Sequence, residues 1–306
     1  MVVSQLLNDK MMKKINYILV TLVFFCSTTI SYGQQESTIT QFKSLLSIFN
    51  PAAVSIDSTT QININVRKQW TSIAEAPSTN IVSFGTHVRE NVGIGFSVLQ
   101  DKTFVEYSTF VGVDFSYKLK LNESSDIYLG IKAGGDFYEL NTSGLETYNI
   151  VSDPMSKTSS SFSANVGFGA YFKRNQLYAS FSIPRLLPYD RAEIDGNETT
   201  SSKTNPHVYL MIGYDFVIKN SPFVIKPSVL SRSVKGSPNV LDINTMVDYN
   251  HLFEAGVTYR TNETIAGILQ LHVNKRFSIG WVYEESNLKA LANAGKTNEF
   301  LLKYTF

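Results

Sequence analysis

A single cysteine, two tryptophans, four histidines and only 17% charged residues are spread over 306 positions, and each scarcity closes off a class of function. Cys26 lies inside an apolar N-terminal stretch, so a chain processed after that stretch has no disulfide framework and no cysteine metal site. His87, His207, His251 and His272 stand apart, with no HExxH spacing, so no zinc signature is present. A formal charge of +1 offers none of the basic surplus that marks a nucleic-acid binder. The chain also has no GxSxG elbow, no GxxxxGK[ST] phosphate loop and no GxGxxG opening a helix. No enzyme class and no cofactor is therefore indicated. Beyond Gly33 there is no apolar run near the roughly 20 residues that a membrane helix requires.

What is present begins with a processing signal. Lys10, Lys13 and Lys14 precede an apolar run from Ile18 to Ile30, and Ser31-Tyr32-Gly33 supplies small residues before Gln34. The expected signal peptide is 1–33, with the true start at Met11 or Met12 also open, and the mature chain begins near Gln34. Residues 34–59 are expected to form an N-terminal periplasmic segment and residues 60–306 an outer-membrane β-barrel.

The barrel is read from period-two alternation. In VGVDFSYKL, Val111, Val113, Phe115, Tyr117 and Leu119 share one face, and Gly112, Asp114, Ser116 and Lys118 the other. The pattern returns from Ile62 to Phe306 often enough to give about 14 strands, many close to the 9–11 residues of a tilted membrane strand. The expected fold is all-β, a single antiparallel transmembrane barrel of about 14 strands. Links after even-numbered strands are short, such as Arg174-Asn175 and Asn250-His251. Most links after odd-numbered strands are longer and polar, with 261–263 the exception, so the long links are expected outside and the short turns in the periplasm. Asp114, Lys118, Asp242, Asn244 and Asp248 fall on the water-suited face and fit a lumen. Gly93, Gly95, Gly167 and Gly169 alternate with apolar residues and read as strand glycines that permit close approach. Arg67-Lys68 and Glu284-Glu285 read as solvated strand ends.

Read in order, QFKSLLSIFNPAAVS (41–55), RKQW (67–70), EAPST (75–79), VGIGFSVLQDK (92–102), LYASFSIPRLL (177–187), HVYLMIGYDF (207–216), KPSVL (226–230), GSPNVLDIN (236–244) and GVTYR (256–260) make the chain resemble a known family. It is similar to the PorP/SprF outer-membrane proteins, associated with type IX secretion and gliding motility in the Bacteroidota. WVYEE at Trp281 and Val54 after Asn-Pro-Ala depart from the family pattern. The resemblance implies a non-enzymatic barrel in the bacterial outer membrane. Its partners would be an adhesin-like secreted cargo protein, secretion-system components and outer-membrane lipid, with no nucleic acid. A solute channel is the alternative. Asn50, Pro51, Arg67, Gln69, Trp70, Pro77, Asp101, Pro227, Pro238, Asp242, Tyr259 and Arg260 are the family-motif positions, serving structure or partner contact. Phe306, ending the alternation of Phe300, Leu302 and Tyr304, resembles a barrel-assembly signal.

Overall fold

The computed structural model describes residues 38–141, 159–190, 203–288, 291 and 293–306, so the expected signal peptide and Cys26 lie outside the described residues. Fourteen strands close one antiparallel barrel. They are β1 (Gln61–Lys68), β2 (Ser78–Arg89), β3 (Val92–Thr103), β4 (Glu106–Asn122), β5 (Ser125–Leu140), β6 (Ser159–Arg174), β7 (Leu177–Ile183), β8 (His207–Tyr214), β9 (Phe223–Val234), β10 (Val240–Tyr249), β11 (Phe253–Arg260), β12 (Thr264–His272), β13 (Phe277–Ser286) and β14 (Thr297–Thr305). Each pairs with its sequence neighbours, and β1 pairs with β14 from Gln61↔Thr305 to Lys68↔Asn298. Closure leaves no strand as an edge of the barrel, which is what a sheet needs in a solvent that cannot hydrogen-bond its backbone.

The alternation sorts side chains the opposite way from a soluble protein. Val113, Ile131 and Val257 point outward and are 56%, 61% and 61% exposed, while Arg67, Asp242 and Glu299 point inward and are fully buried. An apolar exterior around a charged interior is stable only with lipid outside. Val113 pairs laterally with Phe96 and Ala133, inside the apolar band. Val113→Lys is therefore expected to cost about 2–4 kcal/mol if that site lies near the bilayer midplane, measured as a lower unfolding midpoint in detergent or lipid. An unchanged midpoint would remove Val113 from the lipid face.

The links define two ends. Turns after β2, β4, β6, β8, β10 and β12 are short, and Asn175, Asn250 and His251 adopt positive φ of 50°, 51° and 53° there. These are the left-handed conformations that tight hairpins demand and that, after glycine, Asn tolerates best. The opposite end carries most of the long links, but two are tighter than expected. Phe104-Val105 alone joins β3 to β4, because the polar stretches Gln100–Thr103 and Glu106–Thr109 stay paired above the apolar band, and Phe104 turns with φ 54°. Residues 235–239 join β9 to β10. At the same end the 69–77 link hydrogen-bonds to the 287–296 link, with Thr71 N–H to Lys296 O at 3.0 Å and Ser72 N–H to Ala294 O at 3.1 Å. Gly295, at φ 80°, leaves only 2.7 Å between an added Cβ and the Ser72 nitrogen, so no other residue fits that crossing.

Candidate functional site

The stretch 34–59, expected to precede the barrel in the periplasm, fills the lumen over its described part. Alternation gave no sign of this, because Ile39, Phe42, Leu45, Ile48 and Phe49 do not follow a strand period. They are nonetheless buried, packed on lumen-facing Tyr128, Tyr171, Tyr178, Tyr209, Met211 and Leu230. The segment holds one helical turn, α1 (Leu46–Phe49), and a 3₁₀ turn, Pro51–Ser55. It descends from the loop end, where Thr40 meets β13 and β14, and leaves toward the turn end, where Asp57 faces Lys303 at 3.8 Å.

Asn50 is the fixed point of this plug. Its Oδ1 accepts the Ala52 N–H at 2.9 Å, capping the 3₁₀ turn, while its Nδ2 donates to Ala170 O at 2.9 Å on β6 and to Ser180 Oγ at 2.7 Å on β7. Pro51 supplies a fixed φ at the first position of the turn. The wall is hollowed to receive it. A Cβ on Gly130 would stand 2.1 Å from the Ala52 nitrogen, one on Gly169 2.0 Å from Asn50 Oδ1, and one on Gly95 2.9 Å from Val54. Gly130 of β5 thus admits the plug backbone, and Gly95 of β3 and Gly169 of β6 admit its Val54 and Asn50 side chains, a close approach that only glycine allows. Lys132 completes the contact by donating to Ser47 O at 3.2 Å while paired with Asp114 at 3.2 Å.

Above the plug, at the loop end, three arginines and three carboxylates form a buried band across neighbouring strands. Arg232 Nη2 donates to both Asp242 oxygens at 2.9 and 2.8 Å, and Arg260 Nε to Asp242 Oδ1 at 2.7 Å. Arg260 reaches Glu284 at 3.3 Å, and Arg67 bridges Glu284 at 2.8 Å and Glu299 at 3.2 Å. The plug joins the band through its backbone and one hydroxyl: the Thr40 and Gln41 N–H groups donate to Glu299 at 2.9 and 3.1 Å, and Thr40 Oγ1 donates to Glu284 at 2.7 Å. Such charges are tolerated away from water because each is paired and hydrogen-bonded. Arg67 and Glu284 are therefore not the solvated strand ends that the Arg67-Lys68 and Glu284-Glu285 doublets suggest; only Lys68 and Glu285, one residue along, face out. Arg232, Glu284 and Glu299 are the band members that sequence reasoning missed as functional, and inward parity on β9, β13 and β14 was the available signal.

The other motif positions scatter. Asp101 accepts from Thr79 Oγ1 at 2.7 Å, Gln69 N–H donates to Pro77 O at 2.9 Å, and Trp70 turns with φ 46° in the same link. Pro227 lies on β9 just where β8 is interrupted at Asp215, as expected of a residue without an N–H for the ladder. Pro238 sits in the 235–239 link, and Tyr259 faces outward, 46% exposed. A cavity of about 870 Å³ runs alongside the plug, from Thr40 to Asp57, and reaches the turn end; Lys43, Tyr178, Asp215, Lys226, Glu254 and His272 are among its lining residues. Among the described residues no group of three His, Cys, Asp or Glu is placed to hold a metal.

The model of the type IX secretion system membrane protein PorP/SprF matches residues 31–304. The chain belongs to the PorP/SprF family. Solved structures similar to this PorP/SprF barrel include the CymD monoaromatic hydrocarbon channel, at 10% identity, covering 90% of this chain and 94% of that one with a TM-score of 0.50. Omp33 of Acinetobacter baumannii is 11% identical over 81% of this chain and 99% of its own, with a TM-score of 0.49. A search of curated proteins finds no match. At such identities the likeness extends to the fold: this member of the family is an outer-membrane β-barrel.

Phe306 directly follows β14, the strand that closes on β1; its N–H donates to Thr60 O at 2.9 Å and its ring stands edge-on to Tyr304 at 4.9 Å. Deleting Phe306 is expected to lower the heat-modifiable, membrane-inserted fraction and send the chain to periplasmic proteolysis. Wild-type levels of inserted barrel in the deletion would show that this terminus has no part in assembly.

Proposed function

We propose that this PorP/SprF barrel acts by contact, without catalysis, supporting type IX secretion or surface attachment of specific exported, adhesin-like proteins. The observation that carries the reading is the lumen filled by the chain's own residues 38–57, held by Asn50 at one end and Glu299 at the other. A barrel occupied in this way offers its rims to partners in place of a passage. In the orientation that the loop asymmetry favours, the loop end faces outward and the turn end faces the periplasm. Surface cargo then meets the long links, and secretion components meet the turns and the charged turn-end cavity.

Photo-reactive residues at Glu139, on the loop end, and at Lys120, on the turn end, are expected to capture different partners, with an exported protein on Glu139 and a secretion component on Lys120. Capture of neither class at either site would count against a contact role. The solute-channel reading draws on the 870 Å³ charged cavity. It requires steady current through the purified protein in planar bilayers, which a plugged barrel does not give.

A further inference from the structure

The two ends of the plug are held by different physics. At Asn50 to Ala52 the wall is hollowed for the backbone, and only residues 56–60 separate the 3₁₀ turn from β1, so that end is tethered close to the wall. At Thr38 to Gln41 the limb is held mainly by groups that water or another chain can replace. Glu299 accepts two successive backbone N–H groups, Glu284 accepts the Thr40 hydroxyl, which itself accepts from Arg260 Nη2 at 3.3 Å and Arg67 Nη1 at 3.4 Å, and Arg67 Nη2 lies 3.5 Å from Thr38 Oγ1. Ile39 is the one apolar side chain the limb buries above Phe42. Charge also leaves the limb free to depart. Arg67, Arg232 and Arg260 balance Asp242, Glu284 and Glu299 without it, so its departure strands no unpaired ion.

The contacts on Glu299 are also indifferent to side-chain identity, since they read the backbone. We propose that Glu284 and Glu299, oriented by Arg67 and by the Asn65 amide at 3.1 Å from Glu299, form a receptor for an extended polypeptide at the loop end of the lumen. The Thr38 to Gln41 limb occupies it in cis. An incoming strand that offers two successive N–H groups and a Ser or Thr hydroxyl replaces the limb there. The receptor stands independently of which secretion partner the barrel serves.

The test uses the full chain and a defined probe, a fluorescent synthetic peptide with the sequence of Thr38 to Ser44. The tethered limb competes at an effective concentration on the order of millimolar, so the wild type is expected to bind the peptide poorly. Thr40→Val removes the limb's hydroxyl bonds to Glu284, Arg67 and Arg260, and Ile39→Ala loosens the limb without touching the receptor. Either variant, with heat-modifiability retained, is expected to bind the peptide at least about tenfold more tightly than wild type. A peptide N-methylated at the Thr40 and Gln41 positions lacks both N–H groups and is expected to bind at least about tenfold more weakly than the unmodified one. Equal binding of the two peptides, or no gain in both limb variants, would overturn the proposal.

Discussion

Arg67→Ala is expected to destabilise the barrel by about 3–5 kcal/mol, the cost of leaving buried charge without its partner. Arg67 is fully buried and is the bridge between Glu284 and Glu299. Without it the two carboxylates share one low-dielectric site, and only Arg260 still neutralises Glu284. The plug suffers as well, because Thr40 and Gln41 hang from the same two carboxylates. Lys68→Ala, one residue along on the opposite face, removes the same charge from an exposed strand end and is expected to stay within about 0.5 kcal/mol. Denaturant unfolding of both variants in one detergent measures the contrast. Similar costs for the two would mean that the band carries no stability of its own.

Gly130→Val tests the plug seat. The added Cβ would meet the Ala52 nitrogen at 2.1 Å and the Pro51 carbonyl carbon at 2.4 Å, both of them backbone with no rotamer to change. Either β5 distorts or the Asn50 to Ala52 turn leaves its hollow, taking with it the buried side chains of Phe42, Leu45 and Phe49, each worth roughly 1.5–3 kcal/mol of burial. Release is expected to appear as trypsin cleavage after Lys43 in a still heat-modifiable barrel, together with ion current absent from wild type. Gly267→Val is the control, since nothing stands within 4 Å of a Cβ there. Gly130→Val with the wild-type digest and no current would show that the seat does not hold the plug.

The fold was legible because a membrane barrel repeats one simple rule. Alternation located all fourteen strands, and inward parity placed Asp114, Asp242, Asn244 and Asp248 in the lumen before any pairing was known. The same rule also explains what escaped it. The segment 38–57 is neither strand nor long helix, so its apolar residues obey no period, and only the fold reveals the surface they cover. Arg67 and Glu284 begin doublets that resemble solvated strand ends, since nothing in a single strand tells which of two adjacent charges has partners inside. Resemblance supplied the motif positions but not their roles. Asn50 proved to be a plug anchor and Arg67, Asp242 and Arg260 members of one ionic band, whereas Gln69, Trp70, Pro77 and Pro238 shape loop-end links. The glycine reading went furthest: the need for close approach at Gly95 and Gly169 is met by the plug itself.

A clean deletion of the gene, complemented by the wild-type chain, tests the contact role most directly when surface proteome and solute uptake are measured in the same strains. The expected result is loss of secretion or surface retention of one or a few large exported proteins, with outer-membrane integrity and uptake unchanged. An unchanged surface proteome together with altered solute uptake would contradict it and establish a channel.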